Sequence, residues 1–145
     1  MTYKGRYKVK NPHKYKGDPS KIIFRSLWER QVFRFCDNTR DILKWSSEEI
    51  VIPYRCKTDN RIHRYFPDIY IKIRESDGSI QKYIIEIKPQ KQTIEPKVQK
   101  KKTKGYIFEV KEWVRNQAKW KVAQEFCEDR QWKFKIITEH ELGIK

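Results

Sequence analysis

The sequence predicts an α/β fold, a mixed central sheet flanked by helices, and two observations carry that reading. A helical pattern precedes a run of short strands with a hairpin turn, and a longer helical pattern separates that run from a final strand. The material for one core is present. The chain has 145 residues, of which 14% are aromatic and five are tryptophan, more core-forming residues than disordered chains carry. Its length is that of a single domain.

Each element has a local cause. Residues 1–21 hold seven Lys or Arg against one acidic residue, with Pro and Gly punctuation that opposes a long regular element. We therefore expect residues 1–24 to form a basic N-terminal arm and residues 25–145 to form the folded domain. Ser26 opens a helix with Trp28, Val32, Phe33, Phe35 and Cys36 on its apolar side, ending near Asp37 and Asn38. Residues 50–54 read as a short strand, and a turn at residues 58–60 leads into a longer strand over 64–74. Asp77 and Gly78 mark a hairpin turn. Residues 83–88 form the returning strand, stopped by Pro89, which has no N–H for a ladder. Residues 88–104 carry seven lysines against one Glu and should be an exposed segment. A helix over residues 111–130 follows, and residues 132–138 alternate as a last strand.

Charge bounds the partner. Thirty-four Lys and Arg against nineteen Asp and Glu give +15, which favours polyanions, and nucleic acid above all. No apolar run reaches the roughly 18 to 20 residues of a membrane span, and the lysine-rich start leads into no apolar stretch of the secretory type. Neither membrane nor secretion is expected. Three cysteines, an odd number without a C-x-x-C pair, read as reduced thiols.

The chemistry sits on the central hairpin. Asp68 follows Pro67, and Glu86 and Lys88 flank Ile87, eighteen positions further on. Side chains two apart on a strand share a face, so Glu86 and Lys88 point together while Ile85 and Ile87 point to the opposite layer. On the partner strand Ile69, Ile71 and Ile73 form the apolar face, and Phe66, Asp68, Tyr70 and Lys72 the mixed one. Pairing through the Asp77-Gly78 turn brings two carboxylates and an ammonium to one edge. Mg²⁺ binds through one or two carboxylates plus waters and substrate phosphate, and a neighbouring Lys can orient a water or offset charge on phosphorus. An E-x-K triplet alone is common on exposed strands, so the pairing with Asp68 is what gives it weight.

Pro67-Asp68, the hairpin spacing and Glu86-Ile87-Lys88 resemble the PD-(D/E)XK nuclease signature. The resemblance implies a restriction-endonuclease-like core of order α-β-β-β-α-β. Arg25-Ser26-Leu27-Trp28-Glu29, Leu43-Lys44-Trp45-Ser46-Ser47-Glu48-Glu49, the stretch from Arg61 to Asp68 and Thr138-Glu139 resemble the head completion nucleases of tailed phages. The end-cleaving subunit of heteromeric transposases is similar more distantly. The resemblance implies an Mg²⁺-dependent deoxyribonuclease, with Mn²⁺ able to substitute, acting on DNA in the host cytoplasm or virion as packaged heads are completed. Capsid portal or neck proteins are the implied partners. Asp68 and Glu86 match the metal-binding acids, the main-chain carbonyl of Ile87 a further ligand, Lys88 the motif lysine, and Glu29 the acid on the first helix and a further candidate ligand.

Other positions are weighed against blander roles. Ser26 and Glu29 also make a capping box, yet Glu29 projects on the side that should face the sheet. Asn116 and Lys119 fall inside the apolar stripe of the last helix and are candidate phosphate contacts, although a lysine there can snorkel out. Lys100, Lys101 and Lys102 are candidate DNA contacts on the basic segment, and His63 is another. Glu48 and Glu49 stand ahead of a strand, where acids are usually just solvated. Tyr3, Tyr7, Tyr15 and Tyr106 interleave with basic residues and could stack on bases, though such tyrosines more often pack on the fold. The rival reading is a non-catalytic, basic DNA-end-binding or virion structural protein, which explains +15 equally well but leaves the paired acids idle. An RNA-binding protein of ribosomal type likewise leaves them idle.

Overall fold

The computed structural model describes residues 3–144, so the first two residues of the expected arm lie outside the described residues. Two short strands, β1 (Gly5–Arg6) and β2 (Ile23–Phe24), pair and lead into helix α1 (Leu27–Asn38). The Ser26 hydroxyl accepts from the Glu29 N–H and caps that helix. Strand β3 (Ile42–Ser47) follows, then a separate hairpin of β4 (Ile52–Cys56) and β5 (Arg61–Tyr65). Strands β6 (Ile69–Arg74) and β7 (Ile80–Ile87) form the central hairpin; helix α2 (Lys104–Arg130) then crosses to β8 (Lys133–Ile137). The main sheet runs β3-β6-β7-β8, antiparallel except for the parallel β7-β8 pair. A parallel pair needs a crossover, and α2 supplies it.

The sheet separates two apolar layers. Tyr7, Tyr15, Ile22, Phe33, Trp45 and Ile85 pack on the α1 side, and Ile52, Tyr54, Tyr65, Ile84, Trp120 and Ala123 on the α2 side. Neighbours Ile84 and Ile85 therefore serve opposite layers, as the two-residue period requires. Each fully buried large aliphatic or aromatic side chain contributes about 1.5–3 kcal/mol. The mixed sheet with a helix on each side is the α/β arrangement expected.

Five points differ from expectation. Residues 1–24 read as a basic arm or irregular entry segment, and Tyr7, Tyr15 and Ile22 of that segment are buried in the core. Phe35, assigned to the apolar side of α1, is 58% exposed. The strand expected over 64–74 is two strands in different sheets, because Pro67 between them cannot donate to a ladder. Strand β3 gave little apolar alternation, since Ser46 and Ser47 fill two of its buried positions. Helix α2 also begins earlier, at a Thr103 cap that accepts from the Tyr106 N–H.

Candidate active site

Antiparallel register puts Ile69 opposite Ile85, so Asp68 stands at the β6 end beside Glu86 and Ile87. The Ile87 N–H donates to Oδ2 of Asp68 at 2.7 Å, which fixes that carboxylate across the hairpin. Glu86 is only 4% exposed and lines the same cleft as Asp68. Its Oε2 accepts from the Tyr65 hydroxyl and from Nε1 of Trp120 at 3.3 Å.

Burial is the largest influence on Glu86 and the charge of Asp68 adds to it, raising its pKa above the usual carboxylate range. The Tyr65 hydrogen bond and Lys88 act in the opposite direction without overcoming them. Burial followed by Asp68 also raises Glu29, while its contacts with Arg25 and Ser26 oppose this. Glu29 and Glu86 are thus costly to ionise beside the Asp68 carboxylate. A divalent cation removes that cost, and hard oxygen donors are the set that Mg²⁺ or Mn²⁺ takes. The residues present therefore fit such an ion.

Two clefts meet at Asp68 and Lys88. One, of about 640 Å³, is lined by Glu29, Asp68, Ile87 and Lys88 together with Trp28 and Tyr3. The other, of about 280 Å³, is lined by Glu86, Lys88, Asn116, Lys119, Arg64 and Glu48, among others. Asn116 is 3% exposed, and Lys119 carries its ammonium 5.8 Å from the Tyr65 ring centre and 5.9 Å from that of Tyr54. The structure brings Glu29, Asp68, Glu86, Ile87, Lys88, Asn116 and Lys119 together around these clefts.

The remaining candidates are elsewhere. His63 lines neither cleft and instead meets Asp59 at 2.7 Å. Lys100, Lys101 and Lys102 are exposed, also outside both linings, with Lys102 lying over the Tyr106 ring. Glu48 lines the second cleft and is ion-paired with Arg25, while Glu49 is exposed and accepts from the Tyr15 hydroxyl at 3.3 Å.

Sequence reasoning did not single out Tyr65 and Trp120 as the groups that hold Glu86, or Arg64 as a cleft residue. Tyr65 stands three positions before Asp68, which is a usable signal, whereas Trp120 reads only as core.

Over residues 39–139 the chain matches the family described as TnsA-like endonuclease N terminal. It is 42% identical to the head completion nuclease of Enterobacteria phage T4 in an alignment of 152 positions that covers 100% of this chain and 99% of that protein. No solved structure matches at a significant level.

Proposed function

The chain belongs to the family of TnsA-like endonuclease N-terminal domains, and on that premise we propose a divalent-metal-dependent deoxyribonuclease that cuts or trims DNA as phage heads are completed. The family match and the phage T4 relative both support the nuclease resemblance carried by the sequence motifs. We read the order α1, β3, β6, β7, α2, β8 as the α-β-β-β-α-β core, with the β4-β5 hairpin inserted after its first strand.

The observation that carries the reading is that Asp68 and Glu86, neighbours across the central hairpin, line one cleft together, with Lys88 in both adjoining clefts. Asp68, Glu86 and the Ile87 carbonyl would hold Mg²⁺, with Glu29 facing the site from α1. When bound, the ion supplies Lewis-acid stabilisation of the phosphoryl oxygens and a more acidic water. Lys88 orients the attacking water and offsets charge developing on the phosphoryl group. Lys119, Arg64 and Asn116 grip the phosphate from the α2 side and hold the scissile bond in line. Tyr65 and Trp120 keep Glu86 pointed into the site. The basic surface overcomes the repulsion between these acids and DNA, so binding should fall steeply with salt.

Asp68→Ala, Glu86→Ala and Lys88→Ala, assayed on linear, nicked and branched DNA with Mg²⁺, should each lose cleavage while retaining DNA binding. Undiminished cleavage by all three would overturn the assignment.

A further inference from the structure

The β4-β5 hairpin carries a second cluster of ligand-type side chains, outside both clefts. Cys56 closes β4, Asp59 lies in the turn and His63 is central in β5; one ligand atom from each lies within 4.8 Å of the other two. In the register His63 is opposite Tyr54, and Tyr54 and Cys56 are two apart, so both ligands stand on one face of the hairpin.

Each donor is already oriented. Oδ1 of Asp59 accepts from the Arg61 N–H at 3.0 Å, which turns Oδ2 towards Nε2 of His63 at 2.7 Å. The His63 ring packs on Tyr54 with centroids 5.8 Å apart. Cys56 is 2% exposed, and its Sγ meets the Thr58 hydroxyl at 2.9 Å.

We propose that this hairpin tip is a metal site distinct from the Asp68-Glu86 pair, taking a Zn²⁺-type cation through Cys56 Sγ, the Asp59 carboxylate and His63 Nε2. Thiolate and imidazole are poor partners for Mg²⁺ and good ones for Zn²⁺, so the two sites divide hard and borderline-soft cations between them. Three protein ligands leave one tetrahedral position for water. Thiolate and carboxylate together offset the dication at a hairpin tip that also carries Arg55, Lys57 and Arg61. Binding replaces the Asp59-His63 hydrogen bond and releases the thiol proton.

The hairpin has a use for such a clip. It pairs with no strand of the main sheet; Ile52, Tyr54 and Tyr65 pack it against α2, while the turn beyond Cys56 is exposed and has no such support. Yet from it Tyr65 reaches Glu86 and Arg64 reaches the second cleft. Joining β4 to β5 at the turn would hold both in place.

The test uses the full chain, stripped with EDTA, kept reduced and titrated with Co²⁺ as a spectroscopic probe. The expected result is a thiolate-to-cobalt charge-transfer band that Zn²⁺ displaces, that Cys56→Ser abolishes and that Asp68→Ala leaves intact. His63→Gln alters an exposed residue and should weaken Co²⁺ binding by at least about tenfold, which serves where Cys56→Ser fails to fold. Absence of the band, its persistence in Cys56→Ser, or undiminished affinity in His63→Gln would overturn the site and leave only a His63-Asp59 pair. Cleavage with Mg²⁺ is a separate readout, so this site and the nuclease assignment can fail independently.

Discussion

Trp120 donates its indole N–H to Oε2 of Glu86 at 3.3 Å, and the same oxygen accepts the Tyr65 hydroxyl. Donors from α2 and β5 thus fix one oxygen of a β7 carboxylate and leave Oε1 for a cation. On the proposed function, this arrangement would favour metal binding over the stability of the metal-free protein. Glu86→Gln keeps an acceptor for both donors and removes a carboxyl that ionises readily only in the unfolded chain. It should stabilise the EDTA-treated protein at neutral pH by about 0.5–2 kcal/mol, the usual range for a stabilising substitution, and abolish Mg²⁺-dependent cleavage. Urea unfolding and a cleavage assay check it; a variant that is less stable, or still active, contradicts it.

The pH dependence has a definite sign. Burial and Asp68 raise the Glu86 pKa, so without metal stability falls as pH climbs from the ordinary carboxylate value up to the raised one. Cation binding needs the ionised form and should strengthen over the same interval. Tyr65→Phe removes a hydrogen bond that favours ionisation, so the rising limb of the kcat/KM profile should move to higher pH. Mn²⁺ affinity at fixed neutral pH should fall with it. An unmoved limb would mean that Tyr65 only packs.

The acid pair was legible because its geometry is local. Asp68 and Glu86 lie on two strands joined by the Asp77-Gly78 turn, and the two-residue period decides which side chains meet. The order of the main sheet was less legible. Residues 50–54 read as a strand, and Ile52 and Tyr54 are indeed core residues, yet they belong to a hairpin outside the main sheet, whereas Ile42–Ser47 fills its buried positions partly with serines. The N-terminal segment was misleading for a related reason. Its lysines dominate the composition, but Tyr7, Tyr15 and Ile22 among them are core residues whose partners on α1 and β3 are distant in sequence.

Asp37 at the end of α1 tethers that segment. It is 1% exposed and accepts from the Tyr7 hydroxyl and Lys10 N–H, both at 2.8 Å, and from the Asn11 N–H at 3.0 Å. Burial alone would raise its pKa, but these hydrogen bonds outweigh burial and hold the carboxyl below its usual range. Its contribution is therefore present above the ordinary Asp value of about 3.9 and is lost as pH falls through the depressed one. Asp37→Ala leaves three donors without their acceptor and should destabilise by about 3 kcal/mol or more. Its stability should also decline less steeply than the parent's on acidification. Urea midpoints measured from neutral pH downward would show both effects, and parallel curves would exclude the linkage.

The tether also shapes a basic surface that the clefts do not include. A cavity of about 560 Å³ is lined by Arg6, Lys8, Lys10, Arg30 and Arg34, with no carboxylate among its lining residues. Arg30 and Arg34 lie one turn apart on α1, where like charges repel unless an anion stands between them. Arg30 stacks over the Phe24 ring at 5.7 Å, which orders one of the two in advance. DNA backbone is the polyanion that the proposed function supplies. Each lost phosphate contact lowers the slope of log affinity against log salt by about 0.9, so Arg30→Ala with Arg34→Ala should lower it by up to about 1.8. Cleavage of saturating DNA should be unchanged, because neither arginine lines the clefts around Asp68. The same measurement on a triple alanine variant of Lys100, Lys101 and Lys102 compares a surface already folded with an exposed segment of the same sign. If the slope moves only in the lysine variant, the duplex runs along residues 88–104 and the α1 cavity is not part of its path.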